Sequence, residues 1–338
     1  MRFNLILESS NSPERLAELA VLAENAGFEG IWISNMHDGR DPFINLVDAA
    51  RATKSIHMGP VAVSPYELHP LKLGTSLLTL NEIAAGRAHL GIAAGDGGTA
   101  FAMGMKAERR LRAVRECYEI IDSMAAAELV KYDGEMYQVK WVHPRWVSQP
   151  KPLVYVCAGG PQLLASSARY ARGIYLGDHL PEHVAAVREA IDPVVAEHNP
   201  NKDSFRLANF WAWHVKEDEE EVLAECRMWL AARITPWPAY YHRGILPEDE
   251  MQLIWDNLDA LNRAFYTQNP DVPEIPREIL DKLCRRCTAA SPLAKLDSEI
   301  ERLIDFKKAG LTDIAIRVYK NPEDSIRLIG ERVIPALQ

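Results

Sequence analysis

Residues 3–33 read FNLILESSNSPERLAELAVLAENAGFEGIWI, and this stretch decides between two α/β architectures. Phe3 to Leu7 is a short apolar run, and Ser9-Ser10-Asn11-Ser12 is a turn cluster ahead of Pro13, the residue suited to a first helical turn. Leu16, Leu19, Ala20, Ala23 and Ala26 then recur at helical spacing until Gly27 stops the helix, and Ile31-Trp32-Ile33 begins a second strand. One strand, helix and strand in about thirty residues is a right-handed parallel crossover. The first turn, Glu8 to Ser12, contains no glycine, whereas an open doubly wound sheet places its glycine-rich nucleotide turn there.

The rhythm continues outward from this unit. A helix is expected near Pro42–Ala52, a strand at His57–Val63, a helix at Pro70–Ala85 and a strand at Ala88–Ala93. A long helix over Glu108–Ala127 leads into an irregular stretch ending at Pro152, then a strand at Leu153–Cys157 and a helix from Gln162. Gly173–Leu176, Phe205–His214 and Asp313–Val318 read as the remaining strands, with a Pro181–Glu197 helix between the first two. Ser298-Glu-Ile-Glu301 reads as a capping box before the last strand, Gly310 as a stop, and Asn321-Pro322 as the cap of a final helix to Val333. Eight strands, nearly all followed by a helix, count out an α/β fold of the (β/α)8 TIM barrel type, with the doubly wound sheet as the alternative. Residues 1–338 are read as one barrel domain, and 233–291, rich in proline around a single Glu248–Phe265 helix, as an insertion before the last strand.

The 338 residues are 48% hydrophobic and 25% charged, which suits a globular chain with a large core and excludes a disordered one. A net charge of -9 argues against a nucleic-acid binder, and no apolar run approaches the roughly 18 residues of a membrane span. With no visible signal peptide, the expectation is a soluble cytoplasmic protein. The five cysteines are too scattered for a disulfide framework, and Cys284-Arg-Arg-Cys287 is half of a zinc site at most.

Barrel chemistry sits just beyond the strand C-termini. The residues there are Glu8; Asn35, Met36 and His37; Ser64 and Tyr66; Gly95-Asp96-Gly97-Gly98; Gly159 and Gly160; Asp178 and His179; His214; and Tyr319. No His-Glu-x-x-His or Gly-x-Ser-x-Gly pattern supports a metallohydrolase or serine hydrolase. Ala158-Gly159-Gly160-Pro161 reads either as a phosphate cradle or as a tight turn. Arg109, Arg110, Arg112 and Arg115 read either as an anion patch or as a solvated helix face balanced by Glu108, Glu116 and Glu119, and Phe210, Trp211 and Trp213 either as a stacking surface or as core.

Several stretches together carry a family resemblance: Gly30-Ile-Trp-Ile-Ser-Asn35, Gly59-Pro-Val-Ala-Val-Ser-Pro-Tyr66, Thr79 to Asp96, Tyr132-Asp-Gly-Glu-Met-Tyr137, Cys157 to Pro161 and Ala309 to Asp313. The chain resembles the bacterial luciferase-like superfamily, and within it the deazaflavin-dependent methylenetetrahydromethanopterin reductase branch. The resemblance implies a barrel that binds coenzyme F420, or FMN in other branches, and is commonly a homodimer or larger. It implies a phosphate near Ala158, Gly159, Gly160 and Pro161, and a ring against Asn35, Val61, Ala62, Ser64 and Ala94, with Asp96 taken among the cofactor contacts. It also implies a cis peptide at Val61–Ala62. Relatives carry Asp-His where this chain has Asn35-Met36, which removes a charge beside the ring. The expected activity is hydride transfer between F420 and a small organic substrate, with an FMN-dependent monooxygenase or a non-catalytic flavin-binding homologue as alternatives. The accompanying proton is expected on Glu8 with His37 as helper, because the reductases' first-strand Glu falls on Ile6 here and Glu8 lies two residues on, on the same strand face.

Overall fold

The computed structural model describes residues 1–95, 99, 102–234 and 244–337. The opening unit forms as its sequence dictates. The Ser12 hydroxyl accepts the Arg15 amide at 3.3 Å, Pro13 follows at the first helical position, and Gly27 takes φ +87° to end the helix Pro13–Asn25. Leu16, Leu19, Ala20 and Ala23 are the buried stripe of that helix.

Ten strands follow in chain order: β1 Arg2–Leu7, β2 Gly30–Ser34, β3 His57–Val61, β4 His89–Ile92, β5 Val130–Asp133, β6 Gln138–Val142, β7 Leu153–Cys157, β8 Gly173–Gly177, β9 Arg206–Ala212 and β10 Asp313–Arg317. Eight of them make one parallel sheet in the order β3-β2-β1-β10-β9-β8-β7-β4. Its ends meet through the Met58 amide on the Arg87 carbonyl at 3.0 Å and the Val63 amide on the Gly91 carbonyl at 2.9 Å, which closes the sheet into a (β/α)8 barrel. Alternation along each strand produces two cores. Leu5, Ile31, Ile33, Leu90, Val156, Ile174 and Ile316 face the helices, whereas Ile6, Trp32, Tyr155, Tyr175, Ala208 and Ala315 fill the lumen. The Val61–Ala62 bond is cis.

Four local expectations need correction. The stretch before Pro152 is not irregular: β5 and β6 pair as an antiparallel hairpin whose Val130 and Val139 pack on Leu78, Ile120 and Met124. Strands of four and five residues with mostly exposed neighbours carry too weak an alternation to be seen in the sequence. The helix expected over Pro42–Ala52 is two pieces, Pro42–Asn45 and Val47–Ala52. Among its described residues the insertion holds three helices in place of one, Glu248–Asp256, Leu258–Thr267 and Arg277–Cys287. Asn257 interrupts the first two, its side-chain amide bonding the Leu253 carbonyl at 2.9 Å. Ser298 caps nothing, because the Leu296–Lys308 helix begins ahead of it after Lys295, which makes no side-chain cap. The insertion's Ile254, Leu261, Ala264 and Leu280 join the barrel's outer core, so its helices pack onto the barrel. All five cysteines are free, and no group of metal-ligating side chains occurs among the described residues.

Candidate active site

A cavity of about 370 Å³ opens at the C-terminal end of the strands. One side is apolar and small: Val61, Ala62, Ala93 and Gly95 after β3 and β4, then Cys157, Ala158 and Gly159 after β7. Asn35 locks this side, its side-chain amide donating to the Ala62 carbonyl at 3.1 Å and to Glu67 at 2.6 Å. A Cβ placed on Gly159 or Gly160 would meet nothing within 4 Å, so the chain leaves open space over both glycines.

The opposite side is charged. Asp178, Phe210, Arg233 and Arg317 line it, from the ends of β8, β9, the Glu219–Ile234 helix and β10. Arg233 Nη1 donates to Asp178 Oδ2 at 2.9 Å, and its guanidinium lies 4.3 Å from the centre of the Phe210 ring. Arg317 pairs with Glu8, whose other oxygen accepts the Ser34 hydroxyl at 3.2 Å. Asp178 has φ +52°, unusual for a residue other than glycine, and its amide donates to the Phe210 carbonyl at 3.2 Å. Burial pushes its carboxyl up to about 6 against the opposing pull of Arg233. Asp178 Oδ1, Arg233 Nε and Arg317 Nε are buried with no hydrogen-bond partner. Beside them, His179 holds the Gly177 carbonyl through Nδ1 at 2.9 Å, and burial pushes its imidazole down to about 4.

The expected site residues fall into three groups. Asn35, Val61, Ala62, Ala158 and Gly159 are together in the cavity wall. Ser64 is buried, with its hydroxyl accepting the Tyr66 amide at 3.3 Å, while Ala94 and Gly160 are half-buried and Pro161 is exposed, all four outside the wall. Glu8 reaches the cavity only through Arg317 and Ser34, His37 is exposed away from it, and Asp96 lies outside the described residues. Among the aromatics left open by the sequence, Phe210 faces the cavity whereas Trp211 and Trp213 belong to the outer core. On the arginine-rich helix, Arg109 and Arg112 pair with Glu135 and Arg115 with Glu119.

Sequence reasoning missed the charged side. Asp178 stood among the strand-end residues without a role, and its position directly after β8 was the available signal. Arg317 read as strand interior because β10 was drawn one residue too long. Arg233, in the last turn of a helix, had no signal at all.

Residues 2–312 match the family model described as luciferase-like monooxygenase. A 5,10-methylenetetrahydromethanopterin reductase of Archaeoglobus fulgidus is 29% identical over 320 residues, 94% of each chain. An F420-dependent glucose-6-phosphate dehydrogenase of Microbacterium testaceum is 23% identical over 96% of this chain and 94% of its own. In three dimensions the chain superposes on the coenzyme F420 dependent tetrahydromethanopterin reductase of Methanopyrus kandleri with a TM-score of 0.83 at 21% identity, covering 100% and 99% of the two chains. That likeness establishes the barrel fold.

Proposed function

Because the chain belongs to the luciferase-like monooxygenase family, we propose that it is an F420-dependent oxidoreductase that moves a hydride between the deazaflavin and a small organic substrate. The observation that carries this reading is the division of the cavity into a small-residue side and a charged side. Val61, Ala62, Ala93 and Gly95 present a surface without long side chains, as a planar tricyclic ring needs, and the open space a Cβ would occupy at Gly159 and Gly160 leaves room for a phosphate beside this turn. The residues present therefore fit the coenzyme. When bound, a deazaflavin supplies obligate two-electron hydride chemistry, because carbon replaces the ring nitrogen that would stabilise a radical.

The chain's own residues orient and exclude water. Asn35, held by the Ala62 carbonyl and Glu67, fixes the β2 end against the β3 end and thereby the width of the small-residue side. Glu8 holds Arg317 at the floor of the charged side. Support for F420 comes from the names of the reductase and dehydrogenase relatives. The family description itself favours a second reading, an FMN-dependent monooxygenase that needs a reductase partner and oxygen.

Fluorescence titration with purified F420 and with FMN, followed by anaerobic turnover, separates the two. Tight F420 binding with oxygen-independent turnover is the expected result; FMN binding with strictly oxygen-dependent product would refute the proposal. Gly159→Val should leave the melting temperature within about 1 °C, since its Cβ meets nothing, yet weaken F420 binding at least about tenfold by filling the space over the amides.

A further inference from the structure

Hydride transfer to or from an alcohol carbon, or an amine carbon whose nitrogen bears hydrogen, moves a proton as well, and among the described residues the charged side of the cavity holds a carboxyl oxygen without a protein partner, Oδ1 of Asp178. Glu8 is ion-paired with Arg317, accepts the Ser34 hydroxyl, and does not itself line the cavity. Asp178 does line it, is 6% exposed, spends only Oδ2 on Arg233, and leaves Oδ1 buried without a partner. A carboxyl oxygen without a protein partner, on a cavity-lining residue at the end of a barrel strand, is one that a substrate hydroxyl or amine can bond. We propose that Asp178 is the proton acceptor and donor of the reaction, acting on the hydroxyl or amine of the substrate. This rests on the hydride-transfer reading above.

The step balances. In oxidation, the substrate C–H bond breaks and its electron pair leaves with the hydrogen to the deazaflavin, while the O–H or N–H proton passes to Asp178 Oδ1 and the carbon–heteroatom double bond forms. In reduction, Asp178 returns the proton as the carbon receives the hydride. Arg233 is the positioning residue: its hydrogen bond holds Oδ2 and leaves Oδ1 without a protein partner, and stacking on Phe210 fixes the guanidinium. Burial that raises the carboxyl keeps it able to work in both directions near neutrality. The titratable and charged groups facing it from the surrounding elements are Arg233 and Cys226 on the Glu219–Ile234 helix, His214 after β9, Tyr319 after β10, Tyr175 on β8 and Cys287 of the insertion.

The test has a ligand-free arm and a kinetic arm. Carbon-13 NMR of the protein labelled at aspartate carboxyls should show one carboxyl titrating near pH 6, absent from Asp178→Asn; a spectrum unchanged by the substitution overturns the proposal. Should Asp178→Asn fail to fold by circular dichroism, Arg233→Lys replaces it, and the same resonance must move to higher pH as the hydrogen bond loosens; an unmoved resonance is equally fatal. In the kinetic arm, F420 reduction is followed with propan-2-ol and with glucose 6-phosphate. Asp178→Asn should lower kcat at least about 100-fold with F420 affinity within about twofold and remove the acidic limb of the rate profile, while Glu8→Gln keeps that limb. Retention of more than about a tenth of wild-type kcat by Asp178→Asn, or loss of the limb in Glu8→Gln alone, refutes the assignment. If wild-type protein binds no F420 or turns over neither alcohol, the functional reading on which the proposal rests has failed; F420 binding and wild-type turnover with kcat retained in Asp178→Asn is the failure of the Asp178 assignment alone.

Discussion

Acidification should destabilise the protein through His179 by an amount its burial sets. The imidazole titrates at about 4 in the folded chain against an ordinary 6.5, because burial penalises the charged ring more than the Gly177 carbonyl favours it. Between those two values the unfolded chain binds a proton that the folded chain refuses, so the histidine's contribution is intact above about pH 6.5, falls as the pH drops toward 4, and is flat below. Going from about pH 8 to about pH 5, the loss is about 2 kcal/mol. Spread over the unfolding entropy of a chain this long, that corresponds to about 3 °C in Tm. Asp178 works in the opposite sense: its raised carboxyl takes a proton earlier when folded, so acidification stabilises the fold through it. The two must be separated by substitution. His179→Asn keeps a nitrogen donor for the Gly177 carbonyl and removes the titration, while Asp178 is common to both proteins. Differential scanning fluorimetry at the two pH values should show the wild-type Tm falling about 3 °C further than that of His179→Asn. Parallel falls would refute the claim that the folded protein holds this ring neutral.

Two further substitutions test the barrel frame. Gly59→Ala places a Cβ against the His89 backbone carbonyl, at the seam where β3 meets β4; backbone cannot move aside cheaply, so the expected loss exceeds about 3 kcal/mol and is read as a lower Tm or an insoluble product. Asn199→Ala removes an amide that satisfies the Ala168 and Ala171 carbonyls at 2.8 and 2.9 Å, both out of solvent, and an oxygen that accepts the half-buried Asn201 amide at 2.8 Å, and should cost about 2–3 kcal/mol in urea denaturation.

What the sequence could and could not disclose follows from the range of the forces involved. The barrel strands were legible because each is a run buried on both faces and bounded by a capped helix, as in Phe3–Leu7 with Ser12 and Gly27, and Leu153–Cys157 came out with its observed ends. Asn35, Val61, Ala62, Ala158 and Gly159 followed from strand ends by the same local logic. The Arg277–Cys287 helix is hidden in the sequence although Ile279, Leu280, Leu283, Cys284 and Cys287 form its buried stripe, because the prolines ahead of it and the Cys284–Cys287 spacing mask the period. The charged side could not be read. Glu8 meets Arg317, and Asp178 meets Arg233, across long stretches of chain, and the burial that raises the Asp178 carboxyl is made by elements from four parts of the sequence.

The ladder between β1 and β10 joins Arg2–Ile6 to Asp313–Arg317, nearly the two extremes of the chain, and this has a bearing on how the protein is made. At about 5–20 residues per second, a ribosome takes roughly 15–60 s to reach β10 after β1 has emerged. From the emergence of β9 until β10 follows, β1 and β9 each have one unpaired edge, on strands that the finished barrel buries on both faces, and they face the gap that only β10 can fill. The long insertion lengthens the wait, since it is translated between β9 and β10. The nascent barrel is thus an open sheet with two adhesive borders until its final strand arrives, and a chain interrupted inside the insertion keeps both borders permanently.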